Sequence, residues 1–226
     1  MQVSISAAHI FWQEAIVFSE PMTVFTDLLI TAFCWQWAAT LRRTSPTSDA
    51  RVRQAWMYFF IWMGISTLIA GMGHGFSHTE WKTPLKLTGG VFSALATFAM
   101  NYTAIRLLPT RWQLPLRVAN ALQLVIFLCV LLSTDLGFAA TRVNTAVGLL
   151  GVVLPIHWAR YARTHALGSK WVLWGIASGF VAAIVSVFKI SLHEWFTYHD
   201  LGHICVLGSM WVLYRAAKML LSSDAS

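Results

Sequence analysis

Apolar stretches separated by short polar connections run along the whole chain of 226 residues. Each stretch has about the 20 residues that a helix needs to cross the hydrocarbon of a bilayer. Seven such stretches use nearly the whole length, so the pattern predicts an all-α, polytopic membrane protein with a single seven-helix domain over residues 1–226. The predicted transmembrane spans are about 21–41, 55–76, 84–106, 114–133, 143–160, 170–190 and 198–220.

The first twenty residues differ from the spans, because they contain no Lys or Arg and so lack the positive start of a signal peptide. Apolar side chains such as Ile10, Phe11 and Trp12 are mixed there with polar ones. This mixture is typical of a segment that lies in the membrane interface. We therefore expect residues 1–20 to be retained as an interfacial N-terminal segment.

The composition supports a membrane protein, because 57% of the residues are apolar and only 11% are charged, whereas a soluble globule has about a quarter charged residues. Twelve of the sixteen lysines and arginines fall on one side of the predicted spans and four on the other. The positive-inside rule then places the N-terminus outside and the C-terminus in the cytoplasm. The net charge of +7 thus reflects topology, and no nucleic-acid partner is expected. His157, beside Arg160, is predicted to lie at the cytoplasmic interface.

Histidines gather on the predicted extracytoplasmic side, where six of the eight lie. His74 and His78 end the second span, and His199 and His203 begin the seventh. One helical turn would place the members of each pair on one face about 6 Å apart, which suits chelation of one metal ion. Neutral imidazole is a common zinc ligand, and a polar side chain inside a span is costly unless it is paired or bound. The pattern predicts a metal site at this depth.

Two acids lie near the same level. Asp27 is seven residues, or about 10 Å, deeper than Glu20 on the same face of the first span. A carboxylate two turns inside a span is a functional candidate, although a packing hydrogen bond with Thr23 or Thr31 explains it equally well. Glu20, followed by Pro21, also suits an ordinary helix N-terminus.

Three motifs resemble the alkaline ceramidases and the wider superfamily of seven-helix membrane hydrolases that includes adiponectin-receptor-like proteins. Ser19–Leu28 is similar to the first-helix signature, in which an acid, often before Pro, precedes a Ser/Thr-Asn-Leu motif. Gly71–Thr79 resembles the second-helix motif, glycines followed by Ser-x-x-x-His-Thr, and His199–His203 resembles the HxxxH of the last helix. Order, spacing and predicted topology all agree with this family.

The resemblance implies that His78, His199 and His203 are three zinc ligands. It further implies that zinc activates a water to attack a lipid near the outer leaflet, at a ceramide-like amide or at an ester. The expected partner is therefore a membrane lipid, sphingolipid-like or another acyl lipid.

The sequence departs from the family pattern at three positions. His74 stands where the family has a Ser, Asp27 stands where it has an Asn, and the family's Asp in the third span has no match in the stretch 84–90. The first departure leaves three roles open for His74. It can close the site as a fourth metal ligand, or it can stabilise the oxyanion or act as general acid with Asp27, Glu194 or Asp200 as proton acceptor. It can also join the other histidines, His193 and a carboxylate in holding two metals or a different metal.

We favour the second role, in which His74 and Asp27 are the catalytic residues. The residues that could add to the metal ligands are His74, His193, Glu20 and Asp200.

Two functions from other classes remain alternatives. A catalytically altered receptor or structural module would use the metal only to join the second and seventh helices. A haem-binding redox protein would use paired histidines as axial ligands, but such ligands usually come one from each of two facing helices.

Overall fold

The computed structural model describes residues 19–43, 49–133 and 136–223. Within these residues the chain forms seven long helices, which confirms the all-α prediction. The predicted interfacial segment 1–20 lies outside the described residues, apart from Ser19 and Glu20. The helices are α1 (Pro21–Arg42), α2 (Ala50–Gly75), α3 (Lys82–Ile105), α4 (Thr110–Ser133), α5 (Phe138–Gly148, a π-helical turn Leu149–Val153, and Leu154–Thr164), α6 (Leu167–Val187) and α7 (Tyr198–Ser223).

Six of the helices are long and apolar enough to cross a membrane, which fits a multi-pass membrane protein. Helix α3 is the exception, because it carries polar side chains such as Thr97, Asn101 and Thr103. All three are buried in the bundle. A helix surrounded by other helices does not need the apolar surface that a helix facing lipid needs.

The helix ends differ from the predicted spans where polar residues continue a helix. Helix α5 covers 138–164 instead of 143–160, and α4 begins at Thr110 instead of 114. Helix α2 begins at Ala50 instead of 55. Counting apolar residues marks only the part of a helix inside hydrocarbon, whereas backbone hydrogen bonding continues into the polar interface.

Contacts between helices arrange six of them in a closed series with α4 outside it. Helix α1 packs on α2 and α7, α2 on α3, α3 on α5, α5 on α6, and α6 on α7. Helix α4 packs on α3 and α5, and much of its apolar surface is exposed. The first and last helices are therefore neighbours.

Small residues bring α6 and α7 close together. A Cβ at Gly168 would be 2.7 Å from the side chain of Leu220, and one at Gly175 would be 2.5 Å from that of Leu213. Glycine faces of this kind let helix backbones approach closely in membranes. This packing fixes α7, which carries His199 and His203.

A group of side-chain amides, here called the amide cluster, lies between α3, α4 and α5 and consists of Asn101, Asn120, Gln123 and Asn144. Asn101 Nδ2 donates to Asn120 Oδ1 at 2.9 Å, and Asn120 Nδ2 donates to the carbonyl of Phe98 at 3.0 Å. Gln123 Nε2 is 3.0 Å from both the carbonyl and the Oδ1 of Asn144. Such bonds join helices in a medium that offers no water.

The π-helical turn of α5 ends at Val153, two residues before Pro155. Proline lacks an N–H and clashes with the carbonyl four residues earlier, so a local change of helix type accommodates it. After this turn His157 faces inward, fully buried, with Nδ1 3.1 Å from Ser169 Oγ of α6. The predicted interfacial position of His157 is therefore wrong.

At the end of the bundle where α2 and α4 begin, Asp49 caps α2 by accepting the backbone N–H of Arg51 at 2.9 Å. It also accepts hydrogen bonds from the guanidinium of Arg106, which in turn donates to Gln113 Oε1 at 3.1 Å. Burial alone would raise the pKa of the Asp49 carboxyl, but the bonds from Arg106 and Arg51 lower it below its usual value. These contacts tie three helices together.

Candidate metal centre

Four helix ends meet at the other end of the bundle, namely the starts of α1, α3 and α7 and the end of α2. The titratable side chains gathered there are defined as the histidine cluster, which consists of Glu20, Asp27, His74, His199 and His203. Asp27 and His74 are buried, and His199 and His203 are partly exposed. The predicted convergence of α1, α2 and α7 at this level is present in the structure.

Three members of the cluster lie close enough to bind one ion. Asp27, His74 and His203 each offer one ligand atom, and these atoms lie within 4.8 Å of one another. The ring centroid of His74 is 6.1 Å from that of His203 and 5.3 Å from that of His199. His199 is thus beside the three-residue group.

The hydrogen bond of His74 determines which ring nitrogen is free. His74 Nδ1 lies 2.6 Å from Glu20 Oε2. An ionised carboxylate only accepts hydrogen bonds, so Nδ1 carries the proton and Nε2 of the neutral ring keeps its lone pair. A carboxylate that holds the distal nitrogen in this way is a common partner of metal-binding histidines, because it fixes the tautomer and the ring orientation.

The same argument applies to His203 through a threonine. Thr26 Oγ1 donates its proton to the carbonyl of Thr23 at 2.9 Å, and it lies 3.0 Å from His203 Nδ1. A hydroxyl has one proton, so Thr26 accepts from His203, and Nδ1 is the protonated nitrogen. Nε2 of His203 is therefore also left with a free lone pair.

Asp27 adds a third acceptor. Its Oδ1 is 3.5 Å from His203 Nδ1, and its buried Oδ2 has no hydrogen-bond partner among the described residues. The packing bonds considered from the sequence are absent there, since Thr31 donates to the backbone carbonyl of Asp27 and Thr23 donates to Asp200. A buried carboxylate oxygen normally has a partner, so this one calls for a cation or a donor from a ligand.

Gly71 of α2 makes room for Asp27. A Cβ at Gly71 would lie 3.0 Å from Asp27 Cβ and 3.5 Å from its Oδ2. Contacts this short leave almost no space for a side chain between the two helices. The glycine therefore lets α1 and α2 approach until the carboxylate lies at the histidines.

Ser19 fastens the start of α1 to the end of α2. Its backbone N–H donates to the carbonyl of Gly75 at 3.0 Å, and its Oγ lies 3.0 Å from the carbonyl of His74 and 2.6 Å from Ser77 Oγ. The next residue, Glu20, has the left-handed conformation φ 50°, ψ 51°. This conformation is uncommon for a residue with a side chain. Residues strained in this way occur mainly at functional sites.

Asp200 has a different environment, because the described residues occupy both of its oxygens. Thr23 Oγ1 donates to Oδ1 at 2.8 Å, and the backbone N–H and hydroxyl of Thr197 reach Oδ2 at 2.6 and 3.0 Å. The hydroxyl of Thr197 accepts the N–H of His199 at 3.3 Å, which completes a capping box at the start of α7. Asp200 thus positions α7 and is not one of the three grouped ligands.

Two further predicted ligands lie apart from the group. Helix α2 ends at Gly75, so His78 lies in an exposed turn, and the one-turn helical relation expected between His74 and His78 is absent. His193 lies in an exposed turn before α7, where its Nδ1 accepts the N–H of Trp195 at 3.2 Å. The structure brings together His74, His199 and His203, not the His78, His199 and His203 of the family resemblance.

Lys86 of α3 is a neighbour of the cluster that the sequence analysis did not select. It is half-buried, and its charge interacts with Glu20 and Asp27. The sequence did contain an indication, because Lys86 is a basic residue inside an apolar span, on the side of the membrane predicted to carry fewer basic residues. Counting basic residues only for orientation hid this signal.

The charges of this region favour a bound cation. Glu20, Asp27 and Asp200 bring three negative charges in their ionised forms, and Lys86 brings one positive charge. The surplus is 3 − 1 = 2 negative charges when the histidines are neutral. Among apolar helices such a surplus is costly unless protons or a cation balance it, and one divalent ion would cancel it.

A model of a family of unknown function, DUF6962, matches residues 22–222. No curated protein and no solved structure matches the chain. The matched region contains Asp27, His74, Lys86 and His203, and Glu20 lies two residues before it.

Proposed function

We propose that this chain, which belongs to the family DUF6962, is a metal-dependent hydrolase of membrane lipids. Zinc is the proposed metal, with Asp27, His74 and His203 as its ligands. The observation that carries the proposal is the approach of three ligand atoms to within 4.8 Å, two of them on rings whose Nδ1 is already bonded. Two imidazoles and one carboxylate form a ligand set of catalytic zinc sites that leave one position open.

The residues around these ligands have separate proposed roles. Bound zinc supplies an activated water and polarises a carbonyl. Glu20 and Thr26 hold the two imidazoles in orientation. His199, next to His74, takes part in proton transfer to or from the substrate. The ligand role of His74 replaces the catalytic role favoured from the sequence, and His78 has no role in the proposal.

The proposed substrate is a lipid with an amide, ceramide-like, or an ester linkage near the outer leaflet. The cluster lies where helices end, which matches the depth of a lipid's polar linkage. Exposed Trp81 and Trp195 lie in the connections at this end of the bundle. Tryptophan collects at membrane interfaces, which supports the same depth.

Elemental analysis of the purified protein in detergent tests the metal centre. We expect about one zinc per chain in the wild type and a loss of zinc in His203→Ala, because the ligand set is then incomplete. The matched control is His193→Ala, which removes an exposed histidine near the same bundle end and should keep the metal. Hydrolysis of fluorescent amide and ester lipids should disappear with His203→Ala and with a chelator, and it should return on addition of zinc.

His78→Ala separates the proposed ligand set from the one that the family resemblance implies. We expect this variant to retain zinc and hydrolysis, because His78 lies in an exposed turn. Loss of zinc in His78→Ala together with retention in His74→Ala would overturn the proposed ligand set. Unchanged hydrolysis by metal-free His203→Ala would overturn the proposed function itself.

A structural metal site is a second candidate, which the short distance between His74 and His199 favours. If His199 were a fourth ligand, the tetrahedral site would be closed to substrate. His199→Ala decides between the two, since loss of zinc indicates a closed site, and retained zinc with lost hydrolysis indicates catalysis. A haem site predicts a Soret band, whereas ligand atoms within 4.8 Å of one another suit one small ion.

A further inference from the structure

Lys86 lies in the second turn of α3, beside the proposed metal centre. Its charge acts on Glu20 and Asp27 and on the rings of His74 and His199. Its ammonium has no hydrogen bond or ion pair within the described part of the chain. A half-buried lysine thus brings three unused donors to the edge of the centre.

Gly73 of α2 has no side chain and so leaves room for the side chain of Lys86. A Cβ at Gly73 would lie 3.2 Å from Lys86 Cγ and 3.4 Å from Leu85 Cβ. The lysine stem therefore runs against the backbone of α2, one residue from His74. This contact places the lysine stem at the helix end that carries a proposed ligand.

Helix stability does not explain a cation at this place. Lys82 lies one turn before Lys86, and the two positive charges repel each other. Both lie in the first turns of α3, where the helix dipole disfavours positive charge. The acids of the cluster account for part of the attraction, but neither Glu20 nor Asp27 forms an ion pair with Lys86.

We propose that Lys86 binds an anionic group of the lipid substrate, so that the enzyme prefers a phosphorylated or carboxylated acyl lipid to a neutral one. This inference rests on the proposed function, because it assigns the substrate class of the same centre. A divalent ion cancels the surplus of two negative charges counted above. The acids, the ion and Lys86 then sum to zero, so the region no longer repels an anion as the metal-free cluster would, and the unpaired ammonium can donate hydrogen bonds to it. Lys86 is a specificity-determining residue in this account.

Matched lipid pairs test the preference. Ceramide 1-phosphate and ceramide share the amide, and phosphatidic acid and diacylglycerol share the ester. We expect the wild type to have the higher kcat/KM for the phosphorylated member of the pair that it hydrolyses. Lys86→Met should lower that value about tenfold or more and leave the neutral lipid nearly unchanged, since a charge-assisted hydrogen bond contributes this much.

Two controls accompany this variant. Lys86→Arg keeps the charge and should retain the preference in part. Lys170→Met removes an exposed lysine at the opposite end of the bundle and should behave as the wild type. Free inorganic phosphate that inhibits wild type and Lys86→Met equally would show that the anion site is elsewhere, and would overturn the inference.

A role of Lys86 in charge balance alone gives a different result. Removing a cation next to the metal would then tighten zinc binding and would change hydrolysis of charged and neutral lipids by the same factor. That outcome also overturns the inference. Unchanged preference in Lys86→Met would do so directly.

Lipid binding separates the inference from the proposed function. Native mass spectrometry of the zinc-loaded protein counts bound ceramide 1-phosphate and ceramide without requiring turnover. If no lipid is hydrolysed but binding of the phosphorylated lipid is stronger and depends on Lys86, the hydrolase proposal fails and the anion site stands. If lipids are hydrolysed without any difference within a pair, the hydrolase proposal stands and the anion site fails.

Gly73→Ala gives an independent test through geometry. The added Cβ would push the flexible lysine stem away from α2 by a few tenths of an ångström. We expect the preference for the phosphorylated lipid to fall, as in Lys86→Met, but only a fewfold. The zinc content should be unchanged. A larger preference for the phosphorylated lipid in this variant would contradict the proposed path of Lys86.

Discussion

The amide cluster and the histidine cluster both bury polar side chains among apolar helices, but they leave different groups unsatisfied. In the amide cluster neutral donors meet neutral acceptors, and among the described residues its buried atom without a hydrogen-bond partner is an amide oxygen, Asn101 Oδ1. In the histidine cluster the carboxylate oxygen Asp27 Oδ2 has no hydrogen-bond partner among the described residues, and the tautomers derived above leave Nε2 of His74 and of His203 with a lone pair. Burial and polarity are shared, and the surplus of strong acceptors is what points to a cation.

Asp200 shows that even a buried carboxylate need not indicate a ligand. It is as buried as Asp27, yet threonines satisfy both of its oxygens and it belongs to a capping box. The unused hydrogen-bonding capacity of a group is therefore more informative than its type or its depth.

Converting Asp27 to an amide should have the largest effect, because it makes the histidine cluster resemble the amide cluster. We expect Asp27→Asn to weaken zinc binding by about 100-fold or more, measured by competition with a chelating indicator. The reciprocal change, Asn101→Asp, buries an unpaired carboxylate and should lower the free energy of unfolding by about 3 kcal/mol or more without creating a zinc site. Wild-type zinc affinity in Asp27→Asn would remove Asp27 from the ligands.

Truncation within the amide cluster should cost stability and spare the metal. Asn120→Ala removes the bond from Asn101 Nδ2 to Asn120 Oδ1 and the bond from Asn120 Nδ2 to the carbonyl of Phe98, and we expect a loss of about 1–3 kcal/mol in the free energy of unfolding. Reversible unfolding in mixed detergent micelles measures this loss. Leu122→Ala, on the exposed side of α4, is the control with a smaller loss. Reduced zinc affinity in Asn120→Ala would mean that the two clusters are coupled.

Removing the cap of α7 should have an intermediate effect. Thr197→Ala loses the hydroxyl that accepts the N–H of His199, which should cost about 1 kcal/mol of stability. Thr197→Ser retains the hydroxyl and should restore most of it. Thermal unfolding of the three proteins side by side checks the order, and equal stability of the Ala and Ser variants would contradict the capping role.

The ion pair at the opposite end should have the smallest effect. The lowered pKa of Asp49 means that the pair stabilises the protein fully above the unfolded pKa of about 4, and that this contribution is lost as the pH falls through the lower folded pKa. Both partners are partly exposed, so the contribution should be below about 1 kcal/mol. The stability difference between wild type and Asp49→Asn should shrink from pH 7 to pH 3. A difference independent of pH would show that the charge contributes nothing.

The sequence predicted the helices well, because a membrane requires long apolar stretches, and it predicted their ends poorly, because polar residues continue helices into the interface. It also predicted that the pairs His74/His78 and His199/His203 lie at one level with Glu20 and Asp27 nearby, and the structure gathers all of these except His78. The choice between His74 and His78 depended on where α2 ends. That end, at Gly75, is fixed by contacts with Ser19 that spacing alone does not reveal.

The π-helical turn in α5 has a consequence for the phase of this helix. Successive residues of an α-helix are rotated by about 100° about its axis. A π-helical turn accommodates one additional residue, so the side chains after it point in the directions they would have if that residue were absent. The second half of α5 therefore faces its neighbours as it would in a regular helix one residue shorter. Gly151, where an added Cβ would meet no atom within 4 Å, lies within this turn. Deleting it should therefore convert the turn into regular α-helix and leave His157 on the face that meets Ser169.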